Sequence, residues 1–319
     1  MKKELDNIIP FSEFWLGSCY PHAIMSALPH YGISRQDFFA ANLWYTERDF
    51  TIPKEALRGY DGFCSKLGVK LRKFSATMPK AVCQKIDNGN AVVAGLDFFE
   101  VPLRKEYYHN IHSLHFLLIW GYDTEKQIFH IVDHDYVNSL NFVKRELDFD
   151  TFAKASVSAI HFCNKHESNL TCKEIEKSQK TDPNLLSEYF SKRRKLVASA
   201  EAAKINLTKF FEILSSGLEE LMINYHKIVV YFNSECLLKN SLIYVVGSEC
   251  AETTVLLEKI ISGYKFLTTV IWKINATKEM KSFEEKKEKI KSKVEMLIED
   301  VGKLHDFLIV LGKKKYALL

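Results

Sequence analysis

Residues 112–135 read HSLHFLLIWGYDTEKQIFHIVDHD. Two apolar runs, His115–Tyr122 and Gln127–Asp133, flank the short polar segment Asp123–Lys126. Runs of this length, rich in aromatic and β-branched residues and broken by a polar turn, predict a buried β-hairpin. Upstream, Ala91–Leu96 (AVVAGL) follows Asn88-Gly89 and predicts a third buried strand entered from a turn. Cys19–Tyr31 carries Ala23, Ile24, Ala27 and Leu28 at helical spacing, and Asp148–Ala155 predicts a helix that closes the unit. Strands joined by hairpins, with helices before and after them, make an α+β domain around an antiparallel sheet.

The second half is patterned differently. Leu207, Phe210, Phe211, Leu214, Leu218, Leu221, Met222 and Tyr225 follow i, i+3, i+4, i+7 spacing, and Leu256, Ile260, Tyr264, Leu267 and Ile271 repeat it. Ile290, Val294, Leu297, Val301, Leu304, Leu308 and Leu311 form a heptad stripe. These patterns predict an all-α bundle of four or five long helices. The stripe closes either an intramolecular bundle or a homodimer.

Between the halves, Asn164–Asn184 is polar and ends in TDPN, which predicts a linker with Pro183 in the first turn of the next helix. Charge shifts at the same place. Residues 1–170 hold 19 Lys+Arg against 20 Asp+Glu, and residues 171–319 hold 25 against 20. The expected organisation is an α+β domain over 1–165, a linker over 166–183 and a helical bundle over 184–319.

Across 319 residues, 47% apolar and 26% charged side chains exclude wholesale disorder, and a net charge of +4 is too weak to argue for nucleic acid. The opening MKKELDNIIPFSEFW is interrupted by Glu4, Asp6 and Glu13, so no signal peptide is expected. Ile228–Gly247 is interrupted by Asn233, Glu235, Lys239 and Asn240, so no membrane span is expected and the protein is expected to be cytoplasmic. Seven irregularly spaced cysteines without a CxxC pair argue against a disulfide framework, and neither a zinc ribbon nor another metal site is expected.

Two patterns bear chemistry. In Gly17-Ser18-Cys19-Tyr20-Pro21-His22 a cysteine opens an apolar helix. There the helix dipole favours its thiolate, and the helix-start amides are placed to bind a developing oxyanion. A buried structural cysteine is the competing reading. In the hairpin, His115 and Asp133 each lie about six residues from the turn, which predicts that they sit side by side. A carboxylate on one imidazole nitrogen leaves the other free to take a proton from a thiol. Cys19, His115 and Asp133 together give the roles of a papain-like site, with a nucleophile on a helix and a base on a later sheet.

Cys19-Tyr-Pro-His-Ala23, followed by Leu28-Pro-His-Tyr31-Gly32, resembles the helix of the butirosin biosynthesis protein H family, N-terminal domain. Gly89–Pro102 (GNAVVAGLDFFEVP), then Tyr108, His115–Asp123 and Val132-Asp133 are similar to that family's second half, so the resemblance spans about residues 12–155. It implies a papain-like acyltransferase of natural-product biosynthesis. Such a protein takes an acyl group from the phosphopantetheine thioester of an acyl or peptidyl carrier protein and passes it to a small-molecule or peptidyl amine. Cys19 would be the nucleophile, His115 the base and then the acid, and Asp133 the orienting group. No bound cofactor is implied, because phosphopantetheine arrives on the donor. A cysteine peptidase or amidase, and a non-catalytic scaffold module, are the alternatives.

One departure stands out. Papain-like enzymes commonly place a glutamine six residues before the cysteine as an oxyanion donor, and this chain has Glu13 there, which cannot donate when ionised. Ser18 and backbone amides are the substitutes. Asp97 either lines the substrate cleft or caps a turn, and Tyr108 is a candidate wall of an acyl pocket with Trp15, Phe98, Phe99 and Tyr107. His22, His109 and His112 rank below His115 as bases. Lys192, Arg193 and Arg194 offer a docking patch for an acidic carrier, against the alternative of a solvated helix face.

Overall fold

The computed structural model describes residues 1–12, 19–35, 46–51, 67–74, 78–135, 141–162, 172–177, 185–246, 251–277 and 279–316. They form two compact units, one of sheet and helices and one mainly of helices.

In the first unit, seven strands make one antiparallel sheet: β1 (Lys2–Glu4), β2 (Val69–Phe74), β3 (Ala91–Asp97), β4 (Leu114–Asp123), β5 (Ile128–His134), β6 (Phe142–Asp148) and β7 (Cys172–Lys177). The order is β2-β7-β3-β4-β5-β6, with β1 pairing the far end of β4. Helices α1 (Cys19–Ala27), α2 (Pro79–Asp87) and α3 (Phe149–Phe162) pack on it. Every residue of β3 is buried, as its unbroken apolar run requires. The three strands read from sequence are β3, β4 and β5, and the closing helix is α3.

The stretch expected to be a linker holds β7, which pairs β2 on one side and β3 on the other. Its sequence CKEIEK looks solvated because its charges are matched only in the fold. Glu174 is buried and accepts from Lys85 Nζ at 2.8 Å, and buried Lys173 donates to the Tyr20 hydroxyl at 2.9 Å. Buried charges persist where a partner compensates them.

The register of the β4–β5 hairpin decides which side chains meet. Asp123 pairs Ile128, Tyr122 pairs Phe129 and Gly121 pairs His130, after which the ladder skips Trp120 and resumes at Ile119 with Ile131 and Leu118 with Val132. Trp120 is therefore the extra residue of a β-bulge. Continuing the register sets Asp133 opposite Leu117, two residues from His115 on the same face. Without the bulge Asp133 would oppose Leu118 and point to the other face. His115 and Asp133 are thus diagonal neighbours, rather than directly opposite as expected from equal distance to the turn.

The helical unit contains α4 (Leu185–Ser216), α5 (Leu218–Val246), α6 (Ala251–Thr277) and α7 (Met280–Tyr316). The periodic run across Leu207–Tyr225 is broken at Gly217, whose φ of +118° suits only glycine. The heptad stripe from Ile290 to Leu308 is buried; the side chain of Leu311 lies outside the described residues. Residues 46–51 also belong to this unit, although they precede β2 in sequence. Thr46 N–H donates to Ser199 Oγ at 2.8 Å, Phe50 N–H donates to Asn206 Oδ1 at 3.2 Å, and Asn206 Nδ2 donates to the Glu47 carbonyl at 2.8 Å. The expected unbroken domain over 1–165 is therefore interrupted. Among the described residues no helix is long and apolar enough to cross a membrane.

Gly121 closes the bulge with no room for a side chain: a Cβ there would meet the Lys3 carbonyl oxygen at 2.8 Å. Gly121→Ala should destabilise the protein by about 1–3 kcal/mol, the usual range for overpacking. Chemical denaturation of the full chain checks this, and an unchanged midpoint would contradict the packing.

Candidate active site

Cys19 is the first residue of α1, and its side chain is half-buried. The Phe116 N–H donates to its Sγ at 3.2 Å. The His115 imidazole stands near enough to the sulfur for its charge and hydrogen bonding to act on it. His115 Nε2 lies 2.8 Å from Asp133 Oδ1, which leaves Nδ1 as the nitrogen facing the sulfur. The structure thus brings Cys19, His115 and Asp133 into one chain of contacts.

Asp133 is 1% exposed, and both of its oxygens are engaged. Oδ1 also accepts the His134 N–H at 2.7 Å, and Oδ2 accepts Arg104 Nη2 at 3.0 Å. Arg104 is itself 2% exposed and donates from the same nitrogen to the His134 carbonyl at 3.0 Å. Its guanidinium lies 5.4 Å from the centroid of Phe98, the ring that packs against His115 at 4.2 Å. The sequence reading missed Arg104, which stands in a loop 29 residues before its partner. The available signal was the expectation that a buried carboxylate needs a cation.

The protonation states follow from these neighbours. Burial pushes the Asp133 carboxyl up, but the His115 charge and hydrogen bond, followed by Arg104 and His134, outweigh it and hold the group at about 2. Burial pushes His115 down, while Cys19 and Asp133 raise it to about 10. Burial pushes the Cys19 thiol up, yet the His115 charge, the hydrogen bond to His115 and the Phe116 amide bring it below its ordinary value. These shifts favour a thiolate beside an imidazolium. That pair is lost on the acid side as the sulfur gains a proton, and on the alkaline side as His115 deprotonates near 10.

The other sequence candidates fall elsewhere. His22 is fully buried, stacks on Phe142 and is pushed by burial to about 3, so it is no base at neutral pH. Asp97 corrects the cleft expectation: it is 0% exposed, and its oxygens accept the N–H groups of Phe99 and Ser113 and face His112 Nδ1 at 2.6 Å. It is the turn cap. Tyr108 is on the surface, stacked on His109 rather than on the triad. Phe99 packs on His112. Glu13, Trp15 and Ser18 lie outside the described residues, as do the side chains of Lys192 and Arg193, whereas Arg194 is exposed on α4.

His115, Asp133 and His134 bring three possible ligand atoms within 4.8 Å of one another. Both Asp133 oxygens are already spent, and the Arg104 cation stands against the same carboxylate, so these residues do not suit a metal ion. In chemical terms the site pairs a cysteine sulfur whose thiolate is favoured with a proton donor and acceptor, which is the equipment of a cysteine enzyme.

Residues 51–134 match the family model for butirosin biosynthesis protein H, N-terminal. The match includes His115 and Asp133 and does not reach Cys19, so it is narrower than the resemblance read from the residues. No curated protein matches the chain. Among solved structures, a putative C39-like peptidase from Bacillus anthracis is similar at 14% identity, with a TM-score of 0.36, over 56% of this chain and 100% of that one.

Alkylation separates the cysteines. Burial raises Cys83 to about 11 and Cys172 and Cys236 to about 12. Iodoacetamide at neutral pH should modify Cys19 ahead of these three, read by peptide mass spectrometry, and His115→Ala should slow Cys19 specifically. Equal rates at the four thiols would contradict the ion pair.

Proposed function

We propose that the protein is a cysteine-dependent acyltransferase of natural-product biosynthesis, forming an amide from a carrier-bound thioester and an amine. The observation that carries this is the contact chain from the Cys19 sulfur through His115 to Asp133, supported by the butirosin-family match over the part of the chain that bears the last two.

The steps follow from the protonation states. The Cys19 thiolate attacks the thioester carbonyl, and a new C–S bond forms. The old C–S bond breaks, and the pantetheine sulfur leaves with the proton held by His115. The acyl group stays activated, because one thioester has replaced another. An amine then attacks the acyl-enzyme, His115 accepts the amine proton, and Cys19 departs as thiolate while the amide forms. The first backbone amides of α1 have no partner within their helix and are the donors for the oxyanion in both steps. Asp133 keeps the imidazole turned so that the same nitrogen serves both proton transfers.

The donor is an acyl or peptidyl carrier protein. Lys192, Arg193 and Arg194 on α4 supply its docking charge, and Arg194 is exposed there.

Intact-mass spectrometry after mixing with acylated carrier proteins should show an acyl adduct on the wild type and none on Cys19→Ala. Absence of an adduct across a panel of carriers and thioester mimics would count against the reading. With an amine added, amide product supports a transferase, whereas free acid makes the protein a hydrolase. Reversing the three charges (K192E, R193E, R194E) should weaken carrier binding several-fold at low salt and less at high salt. Unchanged affinity in a titration would dispose of the docking patch.

A further inference from the structure

We propose that Arg104 is a positioning residue of this site: it keeps buried Asp133 ionised and aimed at His115, and through that pair it sustains the Cys19 thiolate. The inference rests on the reading of Cys19 as a thiolate nucleophile and adds to it the group on which the thiolate depends.

The geometry is specific. Arg104 Nη2 spans two acceptors, Asp133 Oδ2 and the His134 carbonyl, each at 3.0 Å. One contact fixes the carboxylate, and the other fixes the end of the strand that carries it. With Oδ2 occupied, Oδ1 is the oxygen left to His115. The arginine leaves its own Nε buried without a partner. A buried donor left unpaired is costly, so the placement serves the groups around Asp133 rather than the arginine's own hydrogen bonding.

Charge gives a second argument. Thiolate, imidazolium, carboxylate and guanidinium sum to zero. Without Arg104 the remaining three carry a net negative charge in a site where Asp133 is 1% exposed. Such a cluster takes up a proton, either on Asp133, which deprives the imidazolium of its partner, or on the sulfur itself. Both routes disfavour the thiolate. Among the other titratable groups near the pair, burial holds His22 of α1 neutral and Asp135 closes on Arg145 at 3.1 Å. His134, its ring centroid 5.1 Å from that of His115, also lowers Asp133, but by less than Arg104 does.

The test compares full-length wild type with R104M, R104Q and R104K, using iodoacetamide alkylation of Cys19 across pH, quantified by mass spectrometry. In neutral variants with native circular dichroism, the acid limb of the profile moves upward. Alkylation below the ordinary thiol range then falls at least tenfold, the equivalent of one pKa unit. R104K keeps a charge without the planar donor group and falls by less. A purely structural role would change the amount of folded protein and leave the limb in place. An unmoved limb in a folded neutral variant overturns the inference; if neither neutral variant folds, an unmoved limb in R104K does so. A wild-type limb already at the ordinary thiol value contradicts the thiolate reading itself, whatever Arg104 does.

Discussion

A carboxylate removed from water stays ionised only if opposing charge and hydrogen bonds replace its hydration. Asp133 meets this condition from three directions. The imidazole of His115 and the His134 amide serve one oxygen, and the Arg104 guanidinium serves the other. The state of the site follows from that compensation. An ionised Asp133 favours the imidazolium, the imidazolium favours the thiolate, and the helix dipole at the start of α1 adds to the second effect. The cation in the loop after β3 therefore bears on the reactivity of a sulfur that it does not touch.

The fold supplies this constellation through a defect in a regular sheet. Antiparallel pairing alternates faces, so a hairpin of even register would separate the base from its acid. The extra residue at Trp120 shifts the ladder by one and puts both on the same face. Gly121 is the price of the bulge, since the chain of β1 passes where its side chain would stand. Cys19 reaches the same place because α1 packs on β4 with its first turn at the Phe116 amide.

Much of this was legible in the sequence, and the remainder was hidden for physical reasons. The apolar runs of β3, β4 and β5 and the heptad stripe of α7 are read directly, because burial on a regular surface leaves a period. β7 was hidden because Lys173 and Glu174 are compensated by Tyr20 and Lys85, far away in sequence. The attachment of residues 46–51 to the helical unit rests on hydrogen bonds in which the Ser199 side chain accepts from one backbone group and the Asn206 side chain donates to another, which leave no pattern in the segment itself. Cys19, His115 and Asp133 could be named from residue type and order, but the bulge that brings the last two together leaves little trace, since it depends on one residue of register. Arg104 carries no motif at all.

The central claim is that His115 is charged at neutral pH because a thiolate and a carboxylate flank it. Nitrogen NMR of 15N-histidine-labelled protein tests this most directly, with His115 assigned by substitution. The account predicts an imidazolium through neutral pH that titrates near 10, and a lower value in Cys19→Ser, where the thiolate is gone. A neutral His115 ring at pH 7, titrating alike with and without the sulfur, would contradict it.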